Sequence, residues 1–148
     1  MTAAATVALE PDRALALWSD VGRWPSFVEG LARIAHLSPD WPERGAKVVW
    51  ESAPGGCGRV TEKVPERGPR RFATQVFEER FLGTRTAEFG PAGGDRTRVA
   101  LELRYELARG GPVEALRDML FVRSELHGAL ARTLRRFAVE AEDEAGLR

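Results

Sequence analysis

Arg123 and His127 lie four residues apart in a stretch of helical periodicity, so their side chains meet over one patch of helix surface. Both interrupt an otherwise apolar arc. As functional groups they would form the polar end of an apolar pocket. The guanidinium holds a carboxylate or enolate there, and an imidazole with an unperturbed pKa of ~6.5 moves a proton at neutral pH. As structural groups, one reaches the pocket rim and the other is a hydrogen-bonded core histidine. Glu62 is the natural counter-charge, because it falls on the apolar side of a strand whose other inward residues are Val60 and Val64. A carboxylate facing inward must be paired, whether for structure or as a base, since an isolated buried charge is costly. The three are therefore expected to converge.

Trp50 and Tyr105 offer flat apolar area with a polar handle, suited either to stacking on a ring system or to plain core packing. Trp24, Phe27 and Trp41 are assigned to packing of short helices and a loop, with gating of an entrance as the alternative. Cys57 sits in the glycine-rich run PGGCG with no histidine near it in sequence, which speaks against a nucleophile. The same run lacks the Gly-Lys-Ser/Thr ending of a phosphate loop. His36 and His127 have no spaced acidic partner, so neither a metal nor a cofactor is expected.

These residues must be positioned by recognisable elements. Residues 6–9 read as a strand, and Glu10-Pro11-Asp12 is an acidic, proline-containing helix start ahead of Leu15, Leu17 and Trp18. Pro25 breaks the next segment, discouraging helix at Trp24 and permitting a restart that turns Phe27 and Val28 inward. Six further extended segments follow, at 31–37, 46–53, 59–64, 72–78, 81–89 and 97–107, separated by turn clusters such as SPDWPERG and GPAGGD. In 46–53, Val48, Trp50 and Ser52 share a face; in 97–107, Val99, Leu101, Leu103, Tyr105 and Leu107 do.

After Gly110-Gly111-Pro112 the period changes, predicting a helix from Val113 to about Glu142. Its dry arc holds Leu116, Met119, Leu120, Leu126, Leu130, Leu134, Phe137, Ala138 and Ala141. Glu114, Arg117, Asp118, Glu125, Arg132, Arg135 and Arg136 fall opposite. The end, AEDEAGLR, reads as a frayed tail.

Composition narrows the function classes. The chain has 148 residues, 43% hydrophobic and 30% charged, which suits a single globular domain spanning 1–148. Lys plus Arg and Asp plus Glu both number 22, so no net field favours nucleic acid or an anionic membrane. One cysteine excludes an intrachain disulfide and a cysteine-based zinc site. The start lacks a basic n-region and an uninterrupted apolar stretch, and no run approaches the ~18 apolar residues of a spanning helix, so a cytoplasmic protein without stable membrane insertion is expected.

The element order predicts an α+β architecture: an antiparallel meander, strongly curved, with the long helix covering its concave face and an apolar cavity between them. VALEPDRALALWSDVGRWPSF (7–27) resembles the opening of the START-like (SRPBCC) superfamily. GCGRVTEKVPERGPRR (56–71), GPAGGDRTRVALEL (90–103) and the amphipathic C-terminal helix are similar to its polyketide cyclase/dehydrase branch. The similarity covers nearly the whole chain and implies a helix-grip fold holding a hydrophobic ligand such as a polyketide or lipid. It also implies pocket-lining tryptophans and an arginine in the cyclases. Trp50 matches one such tryptophan, while Thr61 and Lys63 depart from the aromatics expected near it. Two functions stand side by side: binding of a hydrophobic small molecule, or cyclisation/dehydration assisted by Arg123, His127 or Glu62. Trp50, Glu62, Tyr105, Arg123 and His127 are the candidate ligand-binding residues.

Overall fold

A computed structural model of the chain describes residues 1–107 and 114–146, and the side chains of residues 114–118 lie outside that description. Strand β1 (Thr2–Val7) leads to helix α1 (Pro11–Ser19), a 3₁₀ turn at Val21–Arg23 and the short helix α2 (Trp24–Phe27). Seven strands follow: β2 (Leu31–Leu37), β3 (Lys47–Ser52), β4 (Arg59–Lys63), β5 (Arg67–Gly68), β6 (Arg71–Phe77), β7 (Phe81–Pro91) and β8 (Thr97–Leu107). Helix α3 (Glu114–Glu144) ends the chain's described elements. The sheet runs β1-β8-β7-β6-β4-β3-β2, with β5 paired to β6 off that path, and the pairings are antiparallel. This is the curved sheet and covering helix expected of the helix-grip arrangement.

Local chemistry explains the N-terminal corner. Pro11 occupies the first turn of α1, where its missing N–H costs nothing, and Ala14, Leu17 and Trp18 face the core. Asp20 ends this helix and starts the next turn, its Oδ1 accepting the Gly22 N–H at 3.1 Å. Helix α2 begins at Trp24 itself, since Pro25 falls in its first turn and the Trp24 carbonyl still accepts from the Val28 N–H at 2.8 Å. Trp24 Nε1 donates to the Trp18 carbonyl and Trp41 Nε1 to the Ser19 carbonyl, both at 2.8 Å, so these indoles pack the corner as expected.

Helix α3 closes the sheet through Leu126, Leu130, Leu134, Phe137 and Ala141, which are buried. Phe137 is the keystone of an aromatic triangle: its ring centroid stands 5.1 Å from those of Trp18 and Phe27, edge-on to both. Trp18 and Phe27 stack at 5.5 Å.

Four expectations need correction. Strand β1 starts at Thr2 rather than residue 6, because pairing with β8 from Thr2↔Glu102 to Val7↔Thr97 overrides the weak strand preference of its alanines. The chain's acidic end is helical through Glu144, not frayed at AEDE, since Arg23 donates to Glu140 at 2.9 Å and to Glu144 at 2.8 Å. The two-residue β5 is an addition. Met119 and Leu120 are exposed rather than dry. Met119 has the right rotation for the arc, but it sits nearly two turns ahead of Leu126, the first buried residue among the described side chains of the helix. The predicted start at Val113, the Gly110-Gly111-Pro112 break and the side chains of Glu114, Leu116, Arg117 and Asp118 lie outside the described residues.

Phe137→Ala removes the ring common to two edge contacts from a fully buried site and should destabilise the fold by about 3–5 kcal/mol, read as a lowered denaturation midpoint in urea. A loss below about 1 kcal/mol would show that the corner repacks and that α3 is held elsewhere.

Candidate functional site

Strand alternation puts one polar residue from each of four neighbouring strands on the inward face. Trp50 comes from β3, Glu62 from β4, Thr74 from β6 and Arg85 from β7. The ladder brings them together: Val48 pairs with Glu62 and Trp50 with Val60, which sets Trp50 diagonal to Glu62, and Thr74 pairs directly with Arg85. Glu62 is fully buried. Its Oε2 accepts the Trp50 indole N–H at 2.8 Å; its Oε1 accepts the Thr74 hydroxyl at 2.7 Å and an N–H of Arg85, in a close ion pair. Among the described residues no buried side-chain N or O atom lacks a hydrogen-bond partner, so this carboxylate is satisfied without water.

Beyond this network lies a cavity of about 80 Å³ between the sheet and α3. Trp50, Val60, Val76, Phe81, Leu103, Leu126 and Leu130 form its apolar wall. Arg85, Arg80, Glu29, Glu78, Cys57 and Thr133 supply its polar atoms. Glu62 is not on that wall. It stands behind Arg85 and Trp50 and fixes them, while the Arg85 side chain keeps about 16% of its surface open. A guanidinium has five N–H donors, and the described hydrogen bond to Glu62 uses one of them, so Arg85 on the cavity wall has donors left for a ligand.

The rim is built from ion pairs. Arg80 forks onto Glu78, with Nε 2.5 Å from Oε1 and Nη2 3.3 Å from Oε2, and its Nη1 reaches Glu125 of α3 at 3.0 Å. Hydrogen bonding to Glu78 raises the Arg80 pKa above its ordinary value against the opposing cost of burial. Glu29 accepts from Arg132 at 2.9 Å and Arg136 at 3.4 Å, and its backbone N–H donates to Thr133 Oγ1 at 2.9 Å. Burial, and secondarily the Glu78 charge, push the Cys57 thiol up, so it is less of a thiolate at neutral pH than a free cysteine.

Of the five residues singled out from sequence, Trp50 and Glu62 meet. Tyr105 packs edge-on against Phe81 with centroids 5.9 Å apart and does not line the cavity. Arg123 and His127 are exposed and do not converge with Glu62, which corrects the expected three-residue patch. Arg123 has the rotation of the buried arc but lies one turn before its first buried member, Leu126; His127 lies about 100° around the helix from Leu126, on the flank. The counter-charge is Arg85, which sequence reasoning missed. Its signal was present: in FLGTRTAEF the alternation Phe81, Gly83, Arg85, Ala87, Phe89 interrupts an inward face just as Glu62 does. His36 is exposed, and among the described residues no group of three or more His, Cys, Asp or Glu side chains is placed to hold a metal ion. No described helix is long and apolar enough to cross a membrane.

With this geometry in view, the comparisons with known proteins fall into place. The family model described as polyketide cyclase/dehydrase and lipid transport matches residues 1–142. No curated protein matches the chain by sequence. Among solved structures, the Zhui aromatase/cyclase from Streptomyces sp. R1128 superposes with a TM-score of 0.78 at 16% identity, covering 98% of this chain and 94% of that one. A START superfamily protein from Mycobacterium smegmatis gives 0.69 at 15% identity, covering 95% and 97%. Norcoclaurine synthase from Thalictrum flavum, solved with dopamine and hydroxybenzaldehyde, gives 0.67 at 15% identity, covering 95% and 86%. At such identities the likeness is one of fold, and it is START-like.

Arg85→Met strands a fully buried carboxylate and should cost about 3–5 kcal/mol of stability, whereas the double variant Glu62→Gln/Arg85→Met should recover much of that loss. Equal losses in the single and double variants, measured by urea denaturation, would show that the pair is not coupled.

Proposed function

We propose, from a chain that belongs to the polyketide cyclase/dehydrase and lipid transport family, that it works as one domain binding a hydrophobic small molecule bearing an acidic or enolic oxygen, with the apolar body under α3 and the oxygen on Arg85. The observation that carries this reading is Arg85 itself: a guanidinium held by a buried carboxylate, on the wall of a cavity whose other side is apolar. Its described hydrogen bond goes to Glu62, which leaves donors of the guanidinium for a ligand. A charge-assisted hydrogen bond in such a setting contributes about 1.5–3 kcal/mol, enough to fix a ligand's orientation.

The cyclase reading has support in the family and in the fold shared with an aromatase/cyclase. It needs a free base or acid at the ligand. The carboxylates on the cavity wall, Glu29 and Glu78, are each ion-paired, and Glu62 stands behind the wall with three donors on it. Binding is therefore the function the geometry favours.

An anilinonaphthalene sulfonate probe, apolar with one anionic group, should bind with enhanced fluorescence. In a folded Leu130→Trp variant, which fills the space, binding should weaken; in Glu62→Gln/Arg85→Met the anionic probe should lose about tenfold in affinity while a neutral apolar probe is little changed. Equal affinity of the parent and both variants for the anionic probe would sink the proposal. Mass spectrometry of ligand extracted from the purified protein identifies the natural occupant.

A further inference from the structure

The cavity as it stands holds roughly three water volumes, far below the ~300 Å³ or more of small-molecule pockets. A ligand therefore enters only if part of the wall moves, and the contacts around the cavity differ in how they resist that. On the side of the α2–β2 corner, α3 is clasped by two ion pairs from Glu29 and by the Glu29 N–H bond to Thr133. Toward its C-terminal end it is held by Leu130, Leu134, Phe137 and Ala141. At 119–125, ahead of Leu126, no side chain is fully buried: Val122 packs against the core while half-buried, and the described ion pair tying that stretch to the body of the protein is Arg80 to Glu125.

We propose that Arg80 is a latch: anchored on Glu78 in the β6–β7 turn, it reaches from the cavity wall to Glu125 of α3, and release of that ion pair lets the stretch 119–125 swing out to admit ligand. The asymmetry of Arg80's two bonds suits this. Glu78 is nearly buried and takes the guanidinium in a forked grip, so the arginine stays with the turn. Glu125 is about half exposed and takes a single N–H, so that bond is the one that water and salt compete for. Cys57 lines the same cavity, which makes the chain's single thiol a built-in reporter of access.

The proposal rests on the cavity being the ligand site, and its test separates the two. Alkylation of Cys57 by N-ethylmaleimide, an uncharged reagent, needs no ligand. Glu125→Gln should raise its rate roughly two- to fivefold at fixed pH, and Glu125→Arg further. Raising salt from about 0.05 M to about 1 M should speed the parent and leave Glu125→Gln unmoved. Stopped-flow binding of anilinonaphthalene sulfonate should show faster association and faster dissociation in Glu125→Gln. Faster alkylation with no probe binding supports the latch and defeats the ligand reading. Probe binding with parent rates in Glu125→Gln, together with unchanged alkylation, overturns the latch and leaves the ligand reading standing.

Discussion

A fully buried carboxylate is the constraint around which the sheet is organised. Taking Glu62 out of water is costly, and the cost is met only if strands β3, β4, β6 and β7 align so that an indole N–H, a hydroxyl and a guanidinium arrive together. A one-residue slip in any of these pairings would turn a donor to the outer face and strand the charge. The network thus penalises wrong registers more than it rewards the right one. Register selection is what such a buried ion pair contributes, beside an apolar core that supplies most of the stability.

The same constraint shapes the cavity. Glu62 takes the Trp50 N–H and one Arg85 donor, and so fixes both side chains where they line the cavity. Without that backing, an arginine on an apolar sheet face would snorkel toward the rim. Helix α3 supplies the opposite wall, and its burial is graded: Phe137 and Ala141 are fully enclosed, Leu126 and Leu130 slightly less so, and Met119, Leu120 and Phe121 are open to solvent. The aromatic triangle of Trp18, Phe27 and Phe137 anchors the C-terminal half of the helix on the N-terminal corner.

The fold was legible because its signals are periodic and long. Alternation through β8 and the change of period into α3 needed no tertiary information, and Glu62 declared itself by breaking an alternating pattern. What the sequence did not yield was how far the sheet extends along the helix. Arg123 and Met119 sit at rotations that read as inward, but rotation says nothing about whether a partner surface exists at that height. Arg85 was overlooked for a different reason: Phe81, Gly83, Ala87 and Phe89 make a face with small residues, on which one arginine reads as ordinary strand decoration. Applying to β7 the rule that exposed Glu62 on β4 would have paired the two.

Family membership leaves the chemistry open, since the fold serves proteins as different as an aromatase/cyclase and norcoclaurine synthase. Proton accounting narrows it. A general base needs a lone pair directed at the ligand, and a general acid a proton it can release there. Glu78 is gripped by Arg80 and Glu29 by Arg132 and Arg136, so protonating either would first forfeit an ion pair. Burial pushes the Cys57 thiol up, which lowers its thiolate share without abolishing it. Arg85, on the cavity wall, is a donor suited to stabilising an oxyanion that forms or arrives there. Oxyanion binding and proton transfer would thus fall to different groups: Arg85 can neutralise an oxyanion, whereas a carboxylate on this wall becomes a base only once its arginine lets go.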